Sequence, residues 1–194
     1  MNRKECIYSV LIVSSSEKFN NAISAFLPES KYAPIKVVST VNAGKLALTE
    51  REFDYVIINA PLPDDIGMRF AIDICTSKET VALYMVRAEI HDEIYDKVYE
   101  YGVFTLPKPT SKPSIINSLN WMASARERLR RQEKKTLSIE EKMKEIRLVN
   151  KAKWLLISEL KMTEENAHRY IEKQAMDRCI AKKLVAEEII RTYS

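Results

Sequence analysis

An α/β domain built on a doubly wound, five-stranded parallel sheet, followed by an all-α tail, is the fold class this sequence predicts. Three observations predict it. Short β-branched runs alternate with segments of helical spacing as far as Lys108. All three glycines and all seven prolines lie at or before Pro113, which leaves the last 81 residues without a helix breaker. Charge divides at much the same place: residues 1–122 hold 13 Lys and Arg against 15 Asp and Glu, a net of −2, whereas residues 123–194 hold 18 against 12, a net of +6. A basic helical tail behind a mildly acidic domain points to a polyanionic partner for the tail.

The strands are expected at Ser9–Val13, Ile35–Ser39, Tyr55–Ile58, Val81–Val86 and, more weakly, Val103–Leu106. Each is a short β-branched run that reads as a buried strand, the kind a sheet covered on both faces requires. Between them, apolar residues recur at steps of three and four: Phe19, Ile23, Phe26 and Leu27; Ala43, Leu46 and Ala47; Phe70 and Ile74; Ile94, Val98 and Tyr101. Strands alternating with helices in this way wind right-handedly, and the functional edge lies outside the strand C-termini.

Composition excludes several classes. At 46% hydrophobic and 30% charged, the chain is that of a folded soluble protein. No stretch of eighteen uninterrupted apolar residues could span a membrane, and Met1–Glu5 do not begin a signal peptide, so a cytoplasmic location is expected. Cys6, Cys75 and Cys179 are odd in number and far apart, which fits neither a disulfide framework nor a metal site. His91 and His168 stand alone, no Ser-His-Asp order or nucleophile elbow occurs, and three scattered glycines cannot form a phosphate-cradling loop. No metal, no cofactor and no enzymatic activity are expected.

The tail opens with a helix expected to begin near Pro113 and run well beyond Trp121. Alternate steps of three and four trace Met122, Ala125, Leu129, Gln132, Thr136, Ile139, Met143, Ile146, Asn150 and Lys153, of which six are apolar. Met122, Ala125, Leu129, Ile139, Met143 and Ile146 would form a dimer seam, with Gln132, Thr136 and Asn150 setting register over a dimerising helix at 123–150. The alternative is that this stripe packs on its own domain. Thr163, followed by Glu164 and Glu165, is an N-cap with acidic residues in the first turn, so a break is expected near Lys161–Thr163. One helix then runs to about Asp177 and another covers about Ala181 to Thr192.

At the predicted strand ends stand Ser14 and Ser15, Asn59, Val86, and Lys108 in Leu106-Pro107-Lys108-Pro109. This order, with Asn59-Ala60-Pro61-Leu62-Pro63-Asp64-Asp65-Ile66-Gly67 after the third strand, resembles the receiver domain of bacterial response regulators over residues 7–122. In that family two acidic residues after strand one hold magnesium, an aspartate after strand three accepts phosphate, a Thr or Ser follows strand four, and a lysine pairs with the phosphate. Matched position by position, Ser14 and Ser15 replace the acidic pair, Asn59 the phosphoacceptor and Val86 the hydroxyl, leaving only Lys108. A carboxamide is no nucleophile for phosphoryl transfer and hydroxyls supply no charge for Mg²⁺, so the resemblance implies a pseudo-receiver with a degenerate site. Asp64 and Asp65 are expected to play no catalytic part, Lys108 is expected to bond local carbonyls or the Asn59 amide, and Lys108-Pro109 is a candidate cis bond.

The last fifty-odd residues carry a second resemblance. Lys151-Ala152-Lys153-Trp154-Leu155-Leu156, Met162-Thr163-Glu164-Glu165-Asn166-Ala167-His168-Arg169-Tyr170-Ile171, Gln174-Ala175-Met176-Asp177 and Val185-Ala186-Glu187-Glu188-Ile189-Ile190 are similar to the ANTAR family across residues 138–191. That resemblance implies a three-helix RNA-binding module placed after a receiver and a coiled coil, acting in transcription antitermination. The basic pair that many members show before the final Val-Ala is missing at Cys179-Ile180-Ala181, where Lys182 and Lys183 substitute. In the middle helix Ala167, Ile171 and Ala175 recur every four residues as an apolar stripe, while Arg169 and Lys173 project from another face.

Lys151, Lys153, Arg169, Lys173, Arg178, Lys182 and Lys183 are the residues expected near phosphates, with Tyr170 or Trp154 stacking on bases unless the two rings serve the core. The expected partners are leader-transcript stem-loops and a second copy of the chain, with a regulatory partner protein as one route of control. Two rival readings are an adaptor without RNA binding and a DNA-binding response regulator, the latter disfavoured because no helix-turn-helix pattern is visible.

Overall fold

The computed structural model describes residues 7–77 and 79–193. The readings made on Met1–Glu5 and Cys6 lie outside the described residues. The chain divides into two compact units, with the boundary after Arg130.

The first unit is the predicted parallel sheet. Its strands are β1 (Tyr8–Val13), β2 (Tyr32–Val38), β3 (Tyr55–Asn59), β4 (Val81–Arg87) and β5 (Phe104–Lys108), in the spatial order β2-β1-β3-β4-β5 and parallel throughout. Helices α1 (Glu17–Ser24), α2 (Val41–Glu50), α3 (Met68–Ser77) and α4 (His91–Val98) connect them, and α5 (Lys112–Leu160) follows β5. Burial on both faces explains the apolar runs of β1, β3 and β4. Val10, Ile12, Tyr55, Ile57, Leu83 and Met85 pack with Ile23 and Leu27 of the α1 side and with Ile115, Leu119 and Met122 of α5. Leu11, Val13, Val56, Ile58, Ala82, Tyr84 and Val86 face Ala47, Phe70, Ile74, Ile94 and Val98 of α2, α3 and α4.

The edge strand β2 begins at Tyr32, three residues before the expected start. Edge position is the reason: Ala33, Pro34 and Val37 are exposed, so its apolar signal is diluted, and an edge tolerates a proline that a central strand would not. Ala33-Pro34, Ala60-Pro61 and Lys108-Pro109 are cis.

Helix α5 divides the expected dimer seam. Met122 is fully buried in the first unit's core and so is not open to a second chain, while Ala125 and Leu129 are half-buried against the same cluster. Spacing of three and four marks an apolar face but does not say which neighbour covers it. Ile139, Met143 and Ile146, in the second unit, remain 58%, 50% and 58% exposed.

The second unit comprises the rest of α5 with α6 (Glu164–Asp177) and α7 (Lys182–Tyr193). Ala152 and Leu156 of α5, Ala167, Ile171 and Ala175 of α6, and Val185, Ala186 and Ile189 of α7 make its core. Alanines at three of the buried α5 and α6 positions let the helices approach closely. Thr163 caps α6, its side-chain oxygen accepting from the Asn166 amide at 3.3 Å. The tail lacks glycine, so Lys161 (φ 53°) and Cys179 (φ 50°) take the left-handed turns that end α5 and α6. Among the described residues no helix is long and apolar enough to cross a membrane.

Candidate functional site

Two parts of the chain hold the sequence-predicted residues. The first is the crevice at the C-terminal edge of the sheet. Asn59 ends β3 and Lys108 ends β5, while Ser14 and Ser15 follow β1. Both ends of the buried Asn59 amide are engaged: Nδ2 donates to Ser14 Oγ at 3.0 Å, and Oδ1 accepts from Lys108 Nζ at 2.6 Å. Lys108 Nζ also donates to the Ala60 carbonyl. Ser14 Oγ accepts in addition from the Ser16 amide at 3.2 Å. The ammonium is thus held by two neutral oxygens. Burial, and secondarily the positive charge of Arg87, lower the Lys108 pKa from its ordinary value.

Val86 needs correcting. It lies inside β4, paired with Pro107 of β5, and its side chain is buried in the core that faces α2, α3 and α4. The residue abreast of Lys108 is Arg87, which the sequence reading missed. A strand buried on both faces shows no alternation to fix its phase, and the usable signal was that Arg87 is the first charged residue after the apolar run.

Both acids that follow Asn59 in the chain are engaged by backbone amides. Asp64 accepts the Val41 amide at Oδ1 (2.9 Å) and the Asn42 amide at Oδ2 (3.0 Å), at the start of α2. Those two backbone bonds hold its pKa below the ordinary carboxylate value. Asp65 Oδ1 accepts the amide of Gly67 at 2.6 Å, in a turn where Gly67 has φ +82° and an added Cβ would lie 3.1 Å from Ile58 Cγ2. Serine and carboxamide side chains supply no anionic oxygen, so the donor set of Ser14, Ser15 and Asn59 does not fit Mg²⁺.

The second surface belongs to the helical unit. Tyr170 is 41% exposed and Trp154 71% exposed, so neither ring serves the core. Most of the candidate cations are already paired. Lys153 meets Glu164 at 3.2 Å, Arg169 meets Glu165 at 2.6 Å, Lys182 meets Glu172, and Lys183 lies 3.9 Å from Glu187. Arg178 grips Glu188 of α7 with both terminal nitrogens, at 2.5 and 2.7 Å, and so ties α6 to α7. Among the described residues, Lys151 and Lys173 are exposed and make no ion pair.

Other candidate chemistry is spoken for. Among the described residues no cluster of His, Cys, Asp and Glu could hold a metal. His91 bonds Asp92 and Thr105, and His168 faces Glu172 at 3.3 Å. Burial raises the Cys75 thiol pKa, which disfavours its thiolate.

Residues 138–190 match the family model of the ANTAR domain. The chain is 26% identical over 187 residues to the transcriptional regulatory protein PdtaR of Mycobacterium tuberculosis, an alignment covering 94% of this chain and 89% of that protein. The non-phosphorylated HemR receiver domain from Leptospira biflexa superposes with a TM-score of 0.51 at 21% identity, covering 59% of this chain and 93% of that one. The chemotaxis response regulator CheY4 of Vibrio cholerae does so with a TM-score of 0.52 at 19% identity, covering 60% and 98%. The N-terminal unit therefore has the receiver fold. The chain carries an ANTAR domain at 138–190 behind it, the domain order of an ANTAR response regulator, and is homologous to PdtaR.

Proposed function

We propose that this chain is an RNA-binding antitermination regulator that works as a dimer, with a receiver-like domain that accepts no phosphate. The observation that carries the reading is the ANTAR domain itself, which exposes Trp154 and Tyr170 and also carries Lys151, Lys153, Arg169, Lys173, Lys182 and Lys183. Exposed rings stack on unpaired bases and cations neutralise phosphates, which is how single-stranded loops in RNA are read. Surface ion pairs are weakly held in water, so the paired lysines and arginines can exchange carboxylate for phosphate on binding.

Two copies would pair through the open part of the α5 stripe, Ile139, Met143 and Ile146, so that each dimer takes two stem-loops of a leader transcript. Holding those loops stabilises the antiterminator and keeps the overlapping terminator hairpin from forming. Asn59 bonded between Ser14 and Lys108 supports an inert acceptor, so control falls to constitutive dimerisation, a partner protein or a ligand. A soluble, cytoplasmic regulator without catalytic activity completes the reading.

The test is a gel shift of the full chain on leader RNA with paired hairpins, with duplex DNA as competitor. A complex that weakens steeply with salt and survives duplex DNA is expected. No complex at low salt would leave an adaptor role, and displacement by duplex DNA would favour the DNA-binding reading.

A further inference from the structure

We propose that the crevice at the carboxyl edge of the receiver sheet is a binding site for a small oxyanion, a carboxylate or phosphate group of a free metabolite, held between Lys108 and Arg87. The inference rests on the reading that Asn59 accepts no phosphoryl group, and it goes beyond that reading by naming what occupies the crevice instead.

The argument is one of uncompensated charge. Lys108 is half-buried, and its two acceptors, Asn59 Oδ1 and the Ala60 carbonyl, are both neutral. An ammonium carries three donors, so one N–H is left over. Arg87 pairs with Lys108 in the β4–β5 register, and its charge acts on the Lys108 ammonium. Among the described residues neither cation makes an ion pair. The carboxylates that follow Asn59 in the chain are engaged elsewhere, Asp64 on the α2 amides and Asp65 on Gly67. The positions that carry acid in receivers hold Ser14, Ser15 and Asn59.

Lys108, partly withdrawn from water, and Arg87, exposed beside it in the register, carry like charges without an ion-pair partner among the described residues; they repel each other and attract an anion. The guanidinium of Arg87 offers a planar fork that fits either a carboxylate or a phosphate, and Lys108 adds a point charge. Ser15, exposed at the same edge, adds a hydroxyl. Where a receiver's edge collects cations, this one has the reverse polarity.

The experiment titrates the full chain with inorganic phosphate and, separately, with acetate, at constant ionic strength, following the melting temperature and the heat of binding. A saturable rise is expected for at least one of the two anions, and which one responds identifies the group. Arg87→Ala, at an exposed position that leaves packing intact, should weaken that response about tenfold, the worth of one charge-assisted bond. Asn59→Asp, nearly isosteric, should abolish it by supplying an internal counterion. A response unchanged in both variants would place the anion on the basic tail and overturn the proposal, as would no response to either anion. Intact mass separates the two readings: an added phosphoryl group after acetyl phosphate treatment sinks the inert acceptor, whereas unchanged mass without a saturable response sinks the anion site.

Discussion

Arg126 reaches back from α5 to Asp54, donating its Nε to Asp54 Oδ1 at 2.8 Å. Asp54 lies just before β3, near the opposite end of the sheet from Asn59, and also receives Arg130 at 2.7 Å and the Ser9 amide at 2.8 Å. Arg130 sits 5.2 Å over the Tyr8 ring and bonds Glu127 at 2.9 Å. The first turns of α5 are therefore fastened to the sheet at two places, by Met122 in the core and by the Asp54 cluster.

That cluster predicts an acid-labile unit. Burial opposes ionisation of Asp54, but the Ser9 amide, Arg126 and Arg130 outweigh it and hold the pKa below the ordinary 3.8. A carboxyl with a depressed folded pKa contributes stability above its unfolded pKa and loses it as pH falls through the folded one. The melting temperature should therefore be flat across neutral pH and fall below about pH 4. Asp54→Asn should cost about 3 kcal/mol at neutral pH by leaving two half-buried guanidinium groups short of a partner. Urea melts of the two proteins measure the difference.

Acetyl phosphate with Mg²⁺ should leave the intact mass unchanged. Asn59→Asp alone should gain little phosphorylation, because Ser14 and Ser15 still offer no charge to hold the metal. Mass spectrometry of the treated chains checks both outcomes, and rapid stoichiometric labelling of the single variant would mean that the crevice holds Mg²⁺ without an acidic pair.

The cations of the tail should fall into two groups. Lys151→Ala and Lys173→Ala remove charges that no carboxylate holds, so each should reduce the salt dependence of RNA binding, lowering the log–log slope by about 1. Arg178→Ala removes the tie to Glu188 between α6 and α7 and should lower the melting temperature as well as affinity. Filter binding over a salt series, with a melt of each variant, separates the two.

Trp154→Ala should weaken RNA binding by about 1–3 kcal/mol, the worth of a stacked base, without changing the melting temperature. An equal loss of stability would mean that the ring packs rather than reads.

The split of the α5 stripe sets the last expectation. Met143→Lys, at an open position, should turn the dimer into a folded monomer in sedimentation experiments, whereas Met122→Lys should unfold the first unit by burying a charge in its core. A dimer that survives Met143→Lys would move the interface elsewhere.

Much of the architecture was legible because local chemistry decided it. Val81–Val86 and Tyr55–Ile58 announce central strands since both faces are covered, and Thr163 with Glu164 and Glu165 announces a helix start. What was not legible depended on neighbours distant in the chain. The one-residue phase that puts Arg87 rather than Val86 at the strand edge is invisible in an unbroken apolar run. Met122 and Met143 share one spacing rule but not one environment. The pairing of Arg178 with Glu188, or Lys182 with Glu172, needs the packing of α6 on α7 before it can be read.

Both tryptophans of the chain ride on α5 with their rings in water, Trp121 at 59% and Trp154 at 71% exposure. The native chain should thus fluoresce at long wavelength and be quenched readily by iodide, so that emission alone would be a poor gauge of folding. The same placement provides a built-in optical probe: a nucleobase laid on Trp154 would shield that indole from the quencher, while Trp121, lying in the other unit, would serve as the internal reference.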